Sequence, residues 1–256
     1  MVDVSRAVER VEAFLADQLA SAGTDGYVVG VSGGLDSAVV TTLAVRGVGA
    51  DAVMGVIMPG RPNDEANMAD ARTLCRELGV EFEEFSIQPV VDAVDRQLPF
   101  DASRLTLGNV RARTRMVLEY AVANEHDRLV LGTSTRSERL LGYFTKYGDS
   151  AVDLQPIQSL YKTEVVDVAR AIDLDERFVE KTPTAALWEG QTDEGEIGAD
   201  YATVDRVLRR LVDEERSPEQ VVADTDVDTE TVHRLAEMWR SSSHKRSLPP
   251  APNLRA

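Results

Sequence analysis

The fold is decided by the stretch YVVGVSGGLDSA, which occupies residues 27–38. Its opening β-branched residues are typical of a strand that is buried on both faces of a parallel sheet. A turn rich in glycine and serine follows, and a helical pattern begins after it. Glycines let the backbone approach an anion closely, and the start of a helix presents free amide groups and the positive end of the helix dipole. The stretch therefore predicts a strand–loop–helix unit that binds phosphate.

Asp36 is the unexpected residue of this loop, because a carboxylate repels a phosphate unless a cation lies between them. A magnesium ion bound together with the phosphates would remove that conflict. The alternative is an ordinary glycine turn in which Asp36 only caps the helix, but the whole string GVSGGLDS favours a nucleotide site. The loop lacks the Gly-Lys-Ser/Thr ending of a Walker loop. We therefore expect a different class of ATP-binding loop.

Strands and helices alternate along much of the remaining chain. Further strands are predicted at residues 52–58, 80–87 and 128–132, and helices at 38–46, 64–78 (with Asp64 as the N-cap), 103–124 and 162–172. This order predicts an α/β fold, a Rossmann-like open parallel sheet flanked by helices. Residues 181–199 are predicted to be a loop, and helices at 201–215 and 229–240 predict a helical C-terminal part. We expect one domain over residues 1–256, with residues 241–256 as a candidate mobile tail.

The charge balance limits the classes of partner. The chain of 256 residues has 28 Lys and Arg against 44 Asp and Glu, a net charge of −16. Such a charge repels nucleic acids and anionic membranes, so we expect neither as a partner. The one cysteine, Cys75, allows no disulfide within the chain, and the N-terminal residues do not resemble a signal peptide. These features predict a cytoplasmic protein.

Three later motifs carry charged and polar side chains. NVRARTRM at residues 109–116 places three arginines within five positions of an acidic chain. GTSTRSE at residues 132–138 follows a predicted strand, where ligands bind in open α/β sheets, and Glu138 is a candidate second carboxylate for a metal ion. GYFTKYGD at residues 142–149 offers Lys146 as a point charge for a phosphate.

These motifs together carry a family resemblance. The loop resembles the pyrophosphate-binding loop, Ser-Gly-Gly-x-Asp-Ser, of ATP-dependent adenylating enzymes, whose fold is of the adenine nucleotide alpha-hydrolase type. With NVRARTRM, YFTKYGD and the late SHKR at residues 243–246, the chain resembles NAD synthetase in its ammonia-dependent short form. The resemblance covers about residues 30 to 245. It implies a ligase that adenylates deamido-NAD with ATP and then amidates it with ammonia, releasing AMP and pyrophosphate.

The resemblance also implies roles for individual residues. The ATP phosphates would be held by Gly30, Val31, Ser32, Gly33, Gly34, Leu35, Asp36 and Ser37, and ATP would also contact Thr133, Lys162 and Thr184. Deamido-NAD would contact Arg113, Lys146, Asp153, His244 and Lys245. Asp36 and Glu138 would hold Mg²⁺, and Asp36, Lys162 and Ser32 are the candidate catalytic residues. Members of the family are homodimers, which predicts a homodimer here. The chain departs from many bacterial relatives just before Glu138, where it reads Ser-Thr-Arg-Ser.

The source of nitrogen and two alternative functions complete these expectations. Glutamine-using relatives add an amidase domain with a cysteine nucleophile, and Cys75 lies in a helical pattern without a neighbouring histidine, so ammonia is the expected substrate. One alternative is another amide-forming synthetase with this loop, such as the GMP-forming type. The other is a helix-turn-helix DNA-binding regulator, because residues 218–239 have a fitting pattern. Its acidic residues would face phosphates with the wrong sign of charge.

Overall fold

The sheet is formed by four parallel strands in a computed structural model that describes residues 2–61 and 65–254. The strands are β1 (Gly26–Gly30), β2 (Val53–Ile57), β3 (Glu81–Glu84) and β4 (Arg128–Leu131), arranged in the order β3-β2-β1-β4. The register pairs Val28 of β1 with Met54 on one side and Val130 on the other. The predicted open parallel sheet is confirmed. Because β1 lies between β2 and β4, the loop that follows it emerges near the middle of the sheet.

The described residues also form twelve α-helices. They are α1 (Val4–Ala22), α2 (Leu35–Val48), α3 (Glu65–Leu78), α4 (Gln88–Gln97), α5 (Arg104–Glu125), α6 (Arg136–Leu141), α7 (Lys162–Ala171), α8 (Glu176–Val179), α9 (Asp193–Ile197), α10 (Tyr201–Leu208), α11 (Pro218–Asp224) and α12 (Thr229–Ser241). A short 3₁₀ turn, Ser243–Lys245, follows α12.

Alternating side chains of β1 supply both faces of the sheet. Tyr27 and Val29 belong to a buried cluster with α1, α2 and α7, whereas Val28 belongs to a second cluster on the opposite face with α4 and α5. All three side chains are completely buried. A third apolar cluster, which includes Val204, Leu208 and Leu235, joins α10, α11 and α12 to α6. The helical C-terminal part is therefore packed beside the helix that follows β4.

Several predicted bounds differ from the observed ones. The strand predicted to reach residue 87 ends at Glu84, and α4 follows it, with Pro89 in its first turn. The predicted loop at residues 181–199 contains α9, for which Thr192 is the N-cap. The helix predicted at 201–215 leaves regular α-helical geometry at Arg209 and continues as a π-turn, Arg209–Asp213. The predicted cap Asp64 lies outside the described residues. Local cap and turn chemistry outweighed the broader hydrophobic pattern in these places.

Candidate active site

The predicted phosphate loop joins β1 to α2 and is held by its own two serines. Oγ of Ser32 lies 3.0 Å from Oγ of Ser37 and accepts a hydrogen bond from the amide of Gly34, with 3.2 Å between nitrogen and oxygen. Oγ of Ser37 also accepts a bond from the amide of Ser32 at 3.2 Å. Gly34 is the N-cap residue of α2 and supplies no side-chain cap. The loop is thus folded around the start of α2, a position suited to an anion.

Gly33 is required for both its conformation and its size. Its φ of +77° is in the left-handed region, and a Cβ there would lie 2.0 Å from the carbonyl oxygen of Asn67 in α3. Gly33 has a second contact, because Nζ of Lys181 donates a hydrogen bond to its carbonyl oxygen at 2.6 Å. Lys181 also pairs with Asp70 of α3 at 2.5 Å. The sequence did not mark Lys181, which ties the phosphate loop to α3.

Three distant helix starts meet beside this loop. Asp36 lies in the first turn of α2, Glu138 in the first turn of α6, and Lys162 is the first residue of α7. Nζ of Lys162 lies 2.5 Å from Oδ2 of Asp36 and 3.1 Å from Oε1 of Glu138. The structure therefore joins the two predicted metal-binding carboxylates through the lysine that was predicted to contact ATP.

The side chain of Glu138 is oriented by a capping box at the start of α6. Its Oε2 accepts hydrogen bonds from the amide and the hydroxyl of Thr135, at 2.8 and 2.9 Å. The amide of Glu138 in turn donates to Oγ1 of Thr135. One carboxylate oxygen is thereby committed to the helix start, and the other faces Lys162.

Burial sets the electrostatics of this group. Burial raises the pKa of Asp36 to about 6, and the carboxylates of Glu138 and Asp193 act in the same direction while Lys162 opposes them. Burial also opposes the charged form of Lys162, but the carboxylates of Asp36 and Glu138 outweigh it and raise the pKa of the lysine. Lys162 is only 5% exposed. At neutral pH the site therefore holds a protonated lysine between two acidic side chains.

Two polar residues that the sequence did not single out lie beside Lys162. The hydroxyl of Tyr201 donates to Oδ2 of Asp193 at 2.9 Å, and the ring of Tyr201 lies 5.1 Å from Nζ of Lys162. Asp193 is 3% exposed and begins α9. Asp193 comes from the segment 181–199 that was predicted to be a loop, and Tyr201 begins the helix that was predicted at 201–215. Thr192 before an acidic helix start was the one local signal that could have indicated order there.

The donor set fits a hard divalent cation. Oδ1 of Asp36 is buried and has no hydrogen-bond partner, and the same is true of Oδ1 of Asp193. Magnesium is commonly bound by one or two carboxylates together with substrate phosphates and water. The described residues include no cluster of three or more His, Cys, Asp or Glu side chains placed to hold a metal ion. The residues present therefore suit a cation that arrives with phosphates rather than one held by protein alone.

The residues predicted for deamido-NAD form a second group near the C-terminal segment. A guanidinium nitrogen of Arg113 donates to the carbonyl oxygen of Lys146 at 3.1 Å, and Nζ of Lys146 donates to the carbonyl oxygen of His244 at 2.7 Å. Nζ of Lys245 donates to the carbonyl oxygens of Gly142 and Phe144, at 2.6 and 2.8 Å. The structure thus brings four of the five predicted residues together. A cavity of about 250 Å³ adjoins them and is lined in part by Lys146 and Lys245.

The remaining predicted residues, Asp153, Thr184 and Thr133, lie outside these two groups. Asp153 accepts hydrogen bonds from the amide of Val130 at 2.8 Å and the hydroxyl of Tyr120 at 3.1 Å, at the end of β4. Thr184 donates to the carbonyl oxygen of Gln191 at 2.7 Å. Thr133 is partly buried in the segment between β4 and α6.

Comparisons with known proteins find relatives that match nearly the whole chain. The family model described as NAD synthase matches residues 7–249. The NH(3)-dependent NAD(+) synthetase of Thermococcus kodakarensis is 45% identical over 251 residues, which cover 98% of each chain. The enzyme of the same name from Halobacterium salinarum is 43% identical over 95% of this chain and 91% of its own.

Solved structures extend the likeness to the fold. The NMN synthetase of Francisella tularensis has a TM-score of 0.88 and 32% identity, covering 99% of this chain and 100% of its own. The NH3-dependent NAD synthetase of Campylobacter jejuni has a TM-score of 0.84 and 31% identity over the same shares of the two chains.

Proposed function

The chain belongs to the NAD synthase family, and we propose that it amidates deamido-NAD to NAD⁺ with ATP and ammonia. It is accordingly a carbon–nitrogen ligase. The observation that carries the proposal is the meeting of Asp36, Glu138 and Lys162 beside a glycine-rich loop at the start of α2. This arrangement combines an anion site with two carboxylates and a buried cation, as cleavage of ATP requires.

In the first reaction, a carboxylate oxygen of deamido-NAD attacks the α-phosphorus of ATP. The bond between the α-phosphorus and the bridging oxygen breaks, and pyrophosphate leaves with that electron pair. The attacking carboxylate is already ionised, so the step needs no general base. It needs alignment of the reactants and stabilisation of negative charge. The loop of residues 32–37, which lies at the start of α2, would hold the departing pyrophosphate.

Asp36 and Glu138 are the residues that would hold Mg²⁺, and Lys162 would contact the phosphates of ATP. When bound, the ion would supply charge neutralisation at the phosphate oxygens. Lys162 fits a role toward phosphate because it is protonated at neutral pH and is fixed between its two acidic neighbours. Ser32 would add a hydroxyl to the same anion site. We therefore assign Asp36, Lys162 and Ser32 to the adenylation step.

In the second reaction, ammonia attacks the acyl carbon of the adenylated intermediate. The bond from that carbon to the phosphate oxygen breaks, AMP leaves, and loss of one proton from nitrogen gives the carboxamide. Ammonia rather than glutamine is the proposed nitrogen source. Cys75 is completely buried in α3, and burial raises the pKa of its thiol to about 11, so it is unsuited to act as an amidase nucleophile.

We place deamido-NAD near Arg113, Lys146, Asp153, His244 and Lys245, and ATP also near Thr133 and Thr184. The positive charges of the first group would balance the dinucleotide phosphates in an otherwise acidic chain. The Ser-Thr-Arg-Ser sequence before Glu138 includes Thr135, which forms the capping box of α6 and leaves Oε1 of Glu138 facing Lys162.

The proposed homodimer has a candidate interface on α4 and α5. Val90 and Val94 of α4 and Leu105 and Val117 of α5 are between 36% and 63% exposed. Large exposed apolar side chains on neighbouring helices favour burial against another surface. Sedimentation equilibrium of the full chain and of a Val117→Glu variant tests this. A dimer that becomes monomeric in the variant supports the interface, and a monomeric parent chain contradicts it.

The regulator alternative is disfavoured by the packing of its two helices. Val221 of α11 and Val232 and Leu235 of α12 are buried in the C-terminal apolar cluster. Acidic residues occupy the segment between these helices, and Asp226 there pairs with Arg206.

No helix in the described part of the chain is long and apolar enough to span a bilayer. We propose a cytoplasmic location, because the expected substrates are nucleotides and the one cysteine calls for no oxidising compartment.

The decisive experiment measures NAD⁺, AMP and pyrophosphate with ATP, Mg²⁺ and ammonium. Deamido-NAD and nicotinate mononucleotide are supplied in separate reactions, since one similar structure carries the name NMN synthetase. We expect equal amounts of AMP and NAD⁺ from deamido-NAD. Preferential turnover of the mononucleotide would change the substrate assignment, and ATP binding without turnover of either would refute the enzymatic function.

A further inference from the structure

A buried carboxylate outside the proposed substrate contacts ties together two of the helix starts that form the site. Asp205 lies in the middle of α10 and is 2% exposed. Its Oδ1 accepts a hydrogen bond of 2.5 Å from Oγ of Ser137 in α6. Its Oδ2 accepts bonds from the amide and the hydroxyl of Thr163 in α7, at 2.9 and 2.8 Å. One carboxylate group therefore spans the first turns of α6 and α7.

Ser137 closes this arrangement into a ring. Its Oγ, which donates to Asp205, also accepts a hydrogen bond from the amide of Lys162 at 2.9 Å. Ser137 has no exposed surface. The backbone of Lys162 is thus linked to Ser137, the residue that precedes Glu138. Asp205 contacts the first turns of both helices. Removing one partner would leave a buried polar group without a hydrogen bond, which is costly.

Glu138 and Lys162, which are proposed to act on ATP, are sequence neighbours of residues that contact Asp205. Ser137 precedes Glu138, and Thr163 follows Lys162. A relative shift of the two helix starts would change the distance of 3.1 Å between Nζ of Lys162 and Oε1 of Glu138. We propose that Asp205 is a positioning residue that fixes the relative placement of Glu138 and Lys162. The inference rests on the proposed function, because those two residues act there on ATP.

A purely structural role for Asp205 makes different predictions. In that case the carboxylate would only fasten the C-terminal helices to the rest of the domain. Its loss would lower the melting temperature and the folded fraction, but each folded molecule would keep its turnover number. Positioning predicts instead that kcat falls for folded protein, while KM for ATP changes little, because misalignment affects the transition state more than binding.

The test uses Ser137→Ala and Asp205→Asn in the full chain. Pyrophosphate release is normalised to the folded fraction, measured by circular dichroism. We expect kcat to fall by about tenfold to a hundredfold in Ser137→Ala, with KM for ATP within about twofold. Asp228→Asn is the matched control, because Asp228 is an exposed carboxylate that also accepts a backbone amide bond at a helix start. A kcat within twofold of the parent in both test variants would overturn the proposal.

A double-mutant cycle separates positioning from general destabilisation. If Ser137 acts through Glu138, adding Ser137→Ala to Glu138→Gln should slow pyrophosphate release much less than it does in the parent. If the fold-reduction in pyrophosphate release of the double variant equals the product of the two single reductions, the proposal is overturned.

A chemical measurement needs no activity and therefore separates failure of this inference from failure of the proposed function. Acetylation of Lys162 by acetic anhydride, followed by mass spectrometry, should be several-fold faster in Ser137→Ala than in the parent or in Asp228→Asn. If the parent makes no NAD⁺, the proposed function fails, and this labelling rate alone then decides whether Asp205 holds the lysine in place. An unchanged rate would contradict that role.

Discussion

Nζ of Lys162 lies 2.5 Å from Oδ2 of Asp36, although the two residues are 126 positions apart in the sequence. The contact joins the first turn of α7 to the first turn of α2 beside the phosphate loop. It leaves Oδ1 of Asp36 buried and without a hydrogen-bond partner. One oxygen of Asp36 is consequently not committed to a protein donor, which suits it to bind a cation.

Asp36→Asn should lower pyrophosphate release at saturating ATP by about a hundredfold or more, because an amide is a poor ligand for a hard cation. The fold should persist, since Lys162 retains Glu138 as a partner. Glu138→Gln should act on the same step. Asp51→Asn is the control, because Asp51 is exposed and lies after α2, away from the loop. Near-normal release by either site variant would show that the metal assignment is wrong.

The rate at limiting total ammonium should rise by more than about tenfold from pH 7 to pH 9. Free ammonia is the nucleophile, and its share of the total grows with pH. The pKa of Asp36, which burial raises to about 6, places its deprotonation below this range, so that residue should limit activity only on the acidic side. Initial rates with saturating ATP and deamido-NAD, measured across the pH range, give both the acidic and the alkaline side of the pH–rate profile.

Cys75→Ala should leave turnover per folded molecule unchanged, because the buried thiol takes no part in the reaction. Glutamine should support no NAD⁺ synthesis by the purified parent chain or by this variant. Glutamine-dependent synthesis that disappears with the thiol would contradict the assignment of ammonia as the nitrogen source.

Gly33→Ala should disrupt the phosphate loop far more than Gly23→Ala disrupts α1. Both glycines have positive φ, +77° and +68°. Gly23 has open space around it, so its substitution costs about 1 kcal/mol of conformational strain. At Gly33 the new Cβ would also meet the backbone of Asn67 at 2.0 Å. Isothermal titration with ATP and thermal unfolding measure the difference, and equal effects of the two substitutions would refute the role of this close approach.

Glu119→Gln should stabilise the folded chain increasingly as the pH rises. Burial, opposed by Arg115 and assisted by Asp149, raises the pKa of Glu119 from 4.5 to about 8. The folded state therefore favours the protonated form, so its stability falls as the pH rises from about 4.5 through 8. Glutamine cannot ionise and escapes this loss. We expect a gain of about 1–3 kcal/mol at pH 9 relative to pH 5, from urea unfolding. The exposed Glu125 of the same helix provides the control Glu125→Gln. If the free energy of unfolding of Glu119→Gln differs from that of the parent by the same amount at every pH, the expected ionisation of Glu119 is contradicted.

Lys245→Gln should raise KM for deamido-NAD several-fold and leave KM for ATP within twofold. Nζ of Lys245 holds the carbonyl oxygens of Gly142 and Phe144, so its loss should loosen the segment that carries Lys146. Steady-state kinetics with each substrate varied in turn gives the comparison. An equal rise in both KM values would point to general disruption rather than to a deamido-NAD site.

The parts of the fold that could be predicted are those with strong local signals. A run of β-branched residues, two glycines and a helix start lie next to one another in residues 27–38, so the strand, the loop and α2 followed from the sequence. The position of Glu138 was also predictable, because it lies in the first turn of the helix that follows β4; its role toward a metal ion stays a prediction. In contrast, α4 was missed because residues 80–87 continue an apolar pattern across the end of β3.

The remaining site residues depend on long-range contacts that no short pattern contains. Lys181 reaches Gly33 across 148 positions, and Asp205 reaches Ser137 across 68. Asp193 lies within residues 181–199, where glycines and a proline predicted a loop, and Tyr201 begins the helix that follows it. Whether those side chains are buried and paired is decided by the packing of α9 and α10 against the sheet domain. Only the tertiary structure supplies that information.

The same long separations have a consequence for how the protein is made. A chain leaves the ribosome from its N-terminus, so Asp36 is synthesised well before Lys162, and Ser137 before Asp205. Contacts between distant segments incur the entropy of closing a long loop before they contribute stability. The phosphate loop therefore cannot acquire its buried counter-ion until α7 has been translated, and the brace behind it is completed only with α10. A nascent chain that stops before α10 would lack the contacts of Asp205 with Ser137 and Thr163. The complete site therefore forms only after most of the domain has been synthesised and folded.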